Sequence, residues 1–490
     1  MDNLVVSTMK KFKMDKFLSQ VKLVANSSVK KILSVKANAM ANSCDASNGV
    51  ACVGGKIVVD IVYLSVDGNI EVAQGSCDFI EKQRTSFSLT DCFAKIGVSE
   101  QNSNFSSNEI LCSVALDVEI LGGYKYEIPA IDNTAGSFVL SKTSFDTLKL
   151  EKTCEDNFVI AEEVETTIEN MEVLSSKAGV LVADVSCTVD KVVVEGKVCC
   201  EVVYRSGEEF GLLNKTFDFK QEILADGTVP NMVADSNVII KTVNVTPEIS
   251  DGKNSIVYAI DLFAKCYVFD ECSYEIASDM FSLKNELTTT YDYFSAKNSK
   301  GFVLGNDTIS SVTDILTVFD LDDVLGVFDA KASVGSVEFV NEKLIANLKI
   351  SAYALCKTQT GFDRSDVMCD ASIEIDNPEN LALRDLEMLC EISSYKVKAG
   401  KDLEVIFKVE YQAKFDSEVT QKFVKSYEEK EEKSQNSYGI KVYVARAGQT
   451  VFDVAKILNV TPAQITSQNQ VEDVFEQGEK IYVYSPVNLA

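Results

Sequence analysis

The stretch GKIVVDIVYLS at residues 55–65 recurs as GKVCCEVVYRS at residues 196–206. The offset is 196 − 55 = 141 residues, and the same offset relates ILSVKA at residues 32–37 to VLSSKA at residues 173–178. A single register held over both stretches indicates two copies of one domain. Each copy contains runs of alternating apolar and polar residues rich in Val, Ile, Tyr and Phe, which predict strands. The repeat is therefore predicted to be an antiparallel β domain.

A third and more divergent copy follows the second. We align Asp314–Val318 with Lys31–Val35, and the strand that begins at Glu342 with the strand of residues 55–65. In this alignment Ile350 takes the place of Tyr63. The chain is thus predicted to carry three copies, and the third has lost part of the shared pattern.

The last 50 residues have a different pattern. Ile440–Val444 alternates like a short strand with one apolar face, and Gly448 and Thr450 supply a turn and a helix N-cap. Thr461-Pro462 begins a second helix, because Thr is a favoured N-cap and Pro is favoured at the first helical position. Lys480–Tyr484 is a closing strand, so the predicted order is strand, helix, helix, strand.

The predicted fold class is mainly β, with three tandem antiparallel β repeat domains followed by a small βααβ domain. The predicted boundaries are a basic N-terminal arm at 1–16, repeat domains at 17–157, 158–301 and 302–425, a charged linker at 426–437 and the βααβ domain at 438–486. Residues 1–36 carry eight lysines against Asp2 and Asp15. This excess of positive charge predicts either a solvated surface or an arm for an acidic partner. The linker is expected to let the last domain swing.

The βααβ segment resembles a LysM module, the small domain best known for binding the N-acetylglucosamine backbone of peptidoglycan and chitin. The resemblance is carried by the strand before Gly448, by the spacing of Ile465 and Asn469, and by Gly478-x-x-Ile481-x-Val483. It implies a binding site on the two loops, where Gln449 stands in place of the family's usual Asp. The candidate site residues are Gly448, Gln449, Thr450, Val451, Phe452, Gln468, Asn469, Gln470 and Val471.

The repeat resembles the SPOCS domain, which occurs in tandem in clostridial spore-coat morphogenesis proteins that end in a LysM module. The segment Lys31–Val35 and the Gly-Lys…Val-Tyr-x-Ser strand carry this resemblance. It implies a mother-cell protein recruited to the forespore surface, with the LysM module binding the ATPase scaffold of the coat's basement layer. The alternative is a cell-wall or cortex protein that binds a peptidoglycan-type glycan.

Composition restricts the chemistry. The chain of 490 residues contains no histidine, which excludes His-based acid–base catalysis, Ser-His-Asp and Cys-His nucleophiles, and His-containing zinc sites. A net charge of −27 argues against nucleic acid as a partner. No stretch approaches the roughly 20 apolar residues of a membrane span. Lysines follow the first residues where a secretory core would stand, so we expect a cytoplasmic protein.

An enzyme of this composition would need a pair of carboxylates. Among the acidic residues, Asp60 and Glu201 recur between the first two copies, and their strand position is predicted to face solvent. We therefore expect a non-enzymatic protein without a catalytic residue, metal or cofactor.

The fourteen cysteines form no Cys-x-x-Cys pair. Cys52 stands opposite Val193 in the repeat alignment, and Cys199-Cys200 stand opposite Val58-Val59. A cysteine that exchanges with valine fills space in a core, so free thiols are expected in a reducing cytosol. Oxidative cross-linking late in the protein's life is the alternative.

Overall fold

The computed structural model describes residues 3–131, 138–207, 209–250, 253–313, 324–340, 343–358, 361–376, 385–399, 403–433 and 439–484. The first seven strands are β1 Leu4–Lys13, β2 Phe17–Val24, β3 Val29–Ser47, β4 Val50–Ser65, β5 Ile70–Arg84, β6 Thr90–Ser106 and β7 Glu109–Ile128. The next six are β8 Phe138–Glu165, β9 Met171–Thr188, β10 Lys191–Ser206, β11 Glu209–Leu224, β12 Val233–Ser250 and β13 Lys253–Ser282.

Six further strands are β14 Asn285–Thr313, β15 Val324–Val340, β16 Lys343–Thr358, β17 Gly361–Asp376, β18 Asp385–Ala399 and β19 Leu403–Glu432. The last described elements are β20 Ile440–Val444, α1 Val451–Leu458, α2 Pro462–Gln468 and β21 Lys480–Tyr484. The predicted mainly β fold with a small helical part at the carboxyl end is confirmed.

One arrangement of strands occurs three times along the chain. Strands β3-β4-β5, β9-β10-β11 and β15-β16-β17 are antiparallel meanders, each with its middle strand between the other two. Strands β6-β7-β2, β12-β13-β8 and β18-β19-β14 form the accompanying sheets, again in one order. In the second copy β12 also pairs with β9, which joins the meander and its accompanying strands into one six-stranded sheet. Apolar side chains from a meander and its accompanying sheet pack together, and this gives three separate cores.

The meander turns fix which residues correspond between the copies. Across the first turn of each meander, Ser47 pairs with Val50, Thr188 with Lys191, and Val340 with Lys343. The counterpart of Tyr63 is then residue 343 + (63 − 50) = 356, which is Cys356. Our sequence alignment, which placed Ile350 there, was therefore shifted by six residues. The predicted equivalent of Lys31–Val35, Asp314–Val318, lies outside the described residues.

In each of the first two meanders, a glycine on the middle strand pairs with a phenylalanine on the last strand. Gly55 pairs with Phe79, and Gly196 pairs with Phe219. A Cβ built on Gly55 would lie 2.6 Å from the Phe79 ring, and one on Gly196 would lie 2.7 Å from the Phe219 ring. Only glycine therefore leaves room for these rings. In the third meander the same position pairs Leu348 with Ala371. The larger side chain is therefore on the middle strand, β16, and the smaller one is on the last strand, β17.

The longest strands extend beyond the three cores as paired ribbons. The first half of β8 pairs with the second half of β13, and the first half of β14 pairs with the second half of β19. Residues 4–13, predicted as a basic arm, are strand β1 and pair with residues 119–128 of β7. Residues 426–432, predicted as a linker, belong to β19. Seven buried residues hold the ribbons together: Val6, Ile128, Phe145, Ile276, Phe294, Ala296 and Phe423.

The three copies meet at an ion-pair cluster. The ammonium of Lys36 lies 3.2 Å from a carboxylate oxygen of Glu201 and 3.2 Å from one of Asp329. Lys177 lies 3.6 Å from Glu201. Glu201 is buried, with a relative exposure of 5%. The prediction that this strand position faces solvent was wrong, because a neighbouring copy covers it.

Candidate functional site: the carboxyl-terminal module

The candidate site lies in the carboxyl-terminal module, defined here as residues 439–484. Helix α1 begins with a capping box, in which the Thr450 hydroxyl accepts from the Asp453 amide and the Asp453 carboxylate accepts from the Thr450 amide. Helix α2 has the same device between Thr461 and Gln464, with Pro462 in its first turn. These local signals explain why both helices begin where the sequence predicts.

The helices pack on one face of the β20–β21 pair. Val454, Ala455, Ile465, Ile481 and Val483 are buried between the two layers. Thr450 is half-buried through its cap, while Gly448 is exposed and has a φ of +83°. Gly448 thus occupies a left-handed turn conformation that other residues adopt only with strain.

Gln449 is bound within its own loop. Its side-chain oxygen accepts a hydrogen bond from the Arg446 amide at 2.8 Å and another from the Tyr443 hydroxyl at 3.2 Å. This predicted contact residue therefore organises the turn before α1.

Gln468 and Asn469 bind the outer edge of β21. The Asn469 side chain donates to the Tyr482 carbonyl at 2.8 Å and accepts from the Tyr482 amide at 2.9 Å. Gln468 makes the same two kinds of bond with the Tyr484 backbone. These two amides occupy the position of a neighbouring strand. Gln470, next in the chain, is exposed.

The apolar residues of the predicted loops lie inside the module's core cluster. Val451 is buried, and Phe452 and Val471 pack partly buried against the same cluster. The Phe452 ring contacts the Phe281 ring at the end of β13, with centroids 5.3 Å apart. Phe452 therefore joins the module to the strands beneath it.

Polar contacts reinforce this junction. Lys456 on α1 donates to both carboxylate oxygens of Asp279 at 2.8 Å, and Asn459 donates to the Leu283 carbonyl at 3.0 Å. Burial alone would raise the pKa of Asp279, but hydrogen bonds from Lys456, Tyr291 and the Met280 amide outweigh it and lower that pKa. The module is thus docked in this structure, in contrast to the expectation of a swinging domain.

The opposite face of the β20–β21 pair is exposed, and our sequence analysis missed it. Ile440, Val442 and Val444 are 58%, 57% and 53% exposed, and Tyr482 and Tyr484 on β21 are 39% and 53% exposed. Register pairs Ile440 with Tyr484 and Val442 with Tyr482, so the five side chains form one apolar strip. The alternation of β20 predicted an apolar face, but not that this face points to solvent.

A cleft of about 460 Å³ lies elsewhere, between the β5–β6 connection and β7. Its lining includes Ser86, Phe87, Tyr124 and Lys125 but no acidic side chain. It therefore offers no carboxylate pair of the kind that cleaves glycosides. No group of three or more metal-ligating side chains occurs among the described residues. No helix in the described ranges has the length and apolar character to cross a membrane.

The family model of the SipL SPOCS domain matches residues 168–248, which span β9 to β12 and comprise 248 − 168 + 1 = 81 residues. The match supports a relation to spore-coat proteins of the SipL kind. No curated protein and no solved structure matches the chain.

Proposed function

We propose that this chain is a non-enzymatic assembly factor of the endospore coat, acting at the forespore surface in the mother cell. Its carboxyl-terminal module is a LysM-type domain that binds the ATPase scaffold of the coat's basement layer. The similarity of residues 168–248 to the SipL SPOCS domain supports the sporulation role. The observation that carries the binding role is the exposed apolar strip of Ile440, Val442, Val444, Tyr482 and Tyr484.

The strip suits a protein partner for physical reasons. Contiguous exposed apolar side chains are uncommon on monomers and mark interaction surfaces. Aromatic residues, and tyrosine among them, are enriched at interfaces, where they bury large areas at low entropic cost. The module's other apolar contacts are already made with Phe281, Val139 and Leu283. The strip stays exposed while the module is docked, and the module's other strongly exposed large apolar side chains, Ile457 and Val474, lie outside it.

The alternative is a peptidoglycan-type glycan, and one observation favours it. Tyr482 and Tyr484 present partly exposed aromatic rings on one strand, and such rings can stack on sugar faces. The predicted loop residues do not favour glycan binding. The side-chain amides of Gln449, Gln468 and Asn469 already bind backbone or side-chain groups of the module, and are therefore not available for sugar hydroxyls.

The test is capture of the purified scaffold ATPase by the full-length chain. We expect Val442→Asp to abolish capture, because a carboxylate would be buried in the centre of the interface. Ala463→Asp adds the same charge at an exposed position in the first turn of α2, where an acidic residue is tolerated, and should leave capture unchanged. Circular dichroism checks that both variants fold.

A parallel titration with N-acetylglucosamine hexamers separates the two functions. Glycan binding that Val442→Asp abolishes, without capture of the scaffold by the wild type, would replace the coat-assembly proposal by the wall-binding one. Capture that survives Val442→Asp but is lost on Gln470→Asp would move the site to the loops.

A further inference from the structure

Cys154 and Cys266 are direct partners across the β8–β13 pair. Their side chains lie on the same face and pack in the second core, where Cys266 is fully buried and Cys154 partly exposed. Directly opposed residues in an antiparallel pair have Cα atoms about 4.5–5.5 Å apart. Disulfides span Cα separations of about 4.4–6.8 Å. The backbone therefore already holds these two thiols at bonding range.

Cys44 and Cys92 form a second pair, between β3 and β6. An isolated backbone bridge lies nearby, between Ala46 on β3 and Leu89, the residue just before β6. Each of the two thiols shifts the pKa of the other, and the Cys92 sulfur lies 3.6 Å from the Leu89 carbonyl. Both residues are partly exposed at the margin of the first core. This pair would link the first meander to its accompanying sheet.

Each pair contains one thiol that ionises more easily. The hydrogen bond from Cys44 lowers the pKa of Cys92 and raises that of Cys44. The hydrogen bond from Cys266 lowers the pKa of Cys154, and the nearby ammonium groups of Lys265 and Lys152 act in the same direction. The thiolate is the nucleophile in thiol oxidation. Cys92 and Cys154 also have the exposure that an oxidant needs.

We propose that these two pairs are oxidative modification sites, each of which closes to an intramolecular disulfide when the protein meets a peroxide. The thiolate of Cys92 or Cys154 attacks one peroxide oxygen, so that an S–O bond forms, the O–O bond breaks and water leaves. The neighbouring thiol then loses its proton and attacks the sulfenic sulfur, forming the S–S bond and releasing a second water. In total two thiols and one hydrogen peroxide give one disulfide and two waters.

Other cysteines of the chain are not expected to form disulfides. Cys199 and Cys200 are adjacent along β10 and point to opposite faces, so they cannot pair with each other. Cys112 is buried, and burial raises its pKa to about 11. It should therefore resist peroxide. The inference does not depend on the proposed function, because it concerns the repeats and not the carboxyl-terminal module.

The experiment oxidises the reduced, full-length protein with a small excess of hydrogen peroxide and counts free thiols after denaturation. The wild type should fall from fourteen reactive thiols to ten, a loss of 14 − 10 = 4. Cys154→Val and Cys92→Val should each lose two. The control Cys112→Val should still lose four. Peptide mapping of the wild type should show Cys154 joined to Cys266, and Cys44 joined to Cys92.

Several results would overturn the inference. They are an unchanged thiol count, disulfides between chains, or a map that joins Cys44 to Cys52, which pairs with the adjacent Asp45 across the β3–β4 ladder. The wild-type map decides the matter even if a substituted protein does not fold.

Discussion

Lys414 donates hydrogen bonds to both carboxylate oxygens of Asp235, at 2.8 and 2.7 Å, although 179 positions separate the two residues. Lys297 donates to the same carboxylate at 3.2 Å. Asp235, Lys297 and Lys414 have relative exposures of 0%, 3% and 4%. Asp235 lies on β12, whereas both lysines lie on the β14–β19 pair. One buried carboxylate thus connects the second copy to the third.

We predict that Asp235→Ala strongly destabilises the protein. The substitution leaves two buried ammonium groups without their shared anion, and removing one partner of a buried ion pair costs about 3–5 kcal/mol. Urea unfolding followed by circular dichroism measures the change in unfolding free energy.

Glu163→Ala is the matched control, because Glu163 is an exposed acidic residue on β8. It should change the unfolding free energy by less than about 0.5 kcal/mol. Equal effects of the two substitutions would mean that the Asp235 cluster is not what joins the second and third copies.

A second prediction concerns the exchanged pair in the third meander. Leu348→Gly opens a cavity and should cost about 2–5 kcal/mol, and Ala371→Phe should cost about 1–3 kcal/mol through overpacking against Leu348. The double substitution recreates the Gly–Phe pair of the first two meanders. It should therefore be more stable than the sum of the single effects predicts.

The measurement is a double-mutant cycle from urea unfolding curves, with an expected coupling of about 1–3 kcal/mol in favour of the double variant. Additive effects would show that the two positions do not share one packing site. Ala371→Phe with Ile373→Val is the matched control, because Ile373 is a buried residue on the same strand that pairs with Ala346.

The sequence predicted well those features that depend on local residues. The 141-residue offset and the strand alternation predicted a mainly β repeat protein, and Thr450, Thr461 and Pro462 predicted where both helices begin. Features set by distant contacts were not accessible. Glu201 is buried at the junction of the copies, where Lys36 of the first copy pairs with it and also with Asp329 of the third. The alternation of apolar and polar residues in β20 predicts two different faces, but it does not show which of them the helices cover.

A third prediction separates folding of the module from binding. Asn469→Ala removes the hydrogen bonds that the side chain makes with the Tyr482 backbone and with the Ile465 carbonyl. Losing these bonds should cost the module about 0.5–1.5 kcal/mol, because the Tyr482 backbone groups lie at an exposed edge and the Ile465 carbonyl keeps its bond from the Asn469 amide. Hydrogen exchange of the β21 amides should accelerate accordingly. Gln470→Ala, at an exposed neighbouring position, should leave exchange unchanged. Loss of scaffold capture in Asn469→Ala with native exchange rates would instead make Asn469 a contact residue.

The last prediction is that docking of the module on β13 weakens in acid. Asp279 holds Lys456 and has a lowered pKa in the docked state. A lowered pKa means that the docked state binds fewer protons than the released state. The contribution of Asp279 is therefore fully present above its ordinary pKa of about 4 and is lost as the pH falls through the lowered value. Partial exposure limits its size to roughly 0.5–1 kcal/mol.

Hydrogen exchange of the α1 amides, corrected for the intrinsic rate at each pH, measures this effect. Protection in the wild type should fall about two- to five-fold between pH 5 and strong acid, because 0.5–1 kcal/mol corresponds to that ratio. Asp279→Asn should show the reduced protection at both pH values, since its side chain carries no charge to lose. Glu472→Gln, at an exposed position of the module, should behave like the wild type. The same acid-induced loss in Asp279→Asn would assign the pH dependence to another group and leave the Lys456–Asp279 pair without a role in docking.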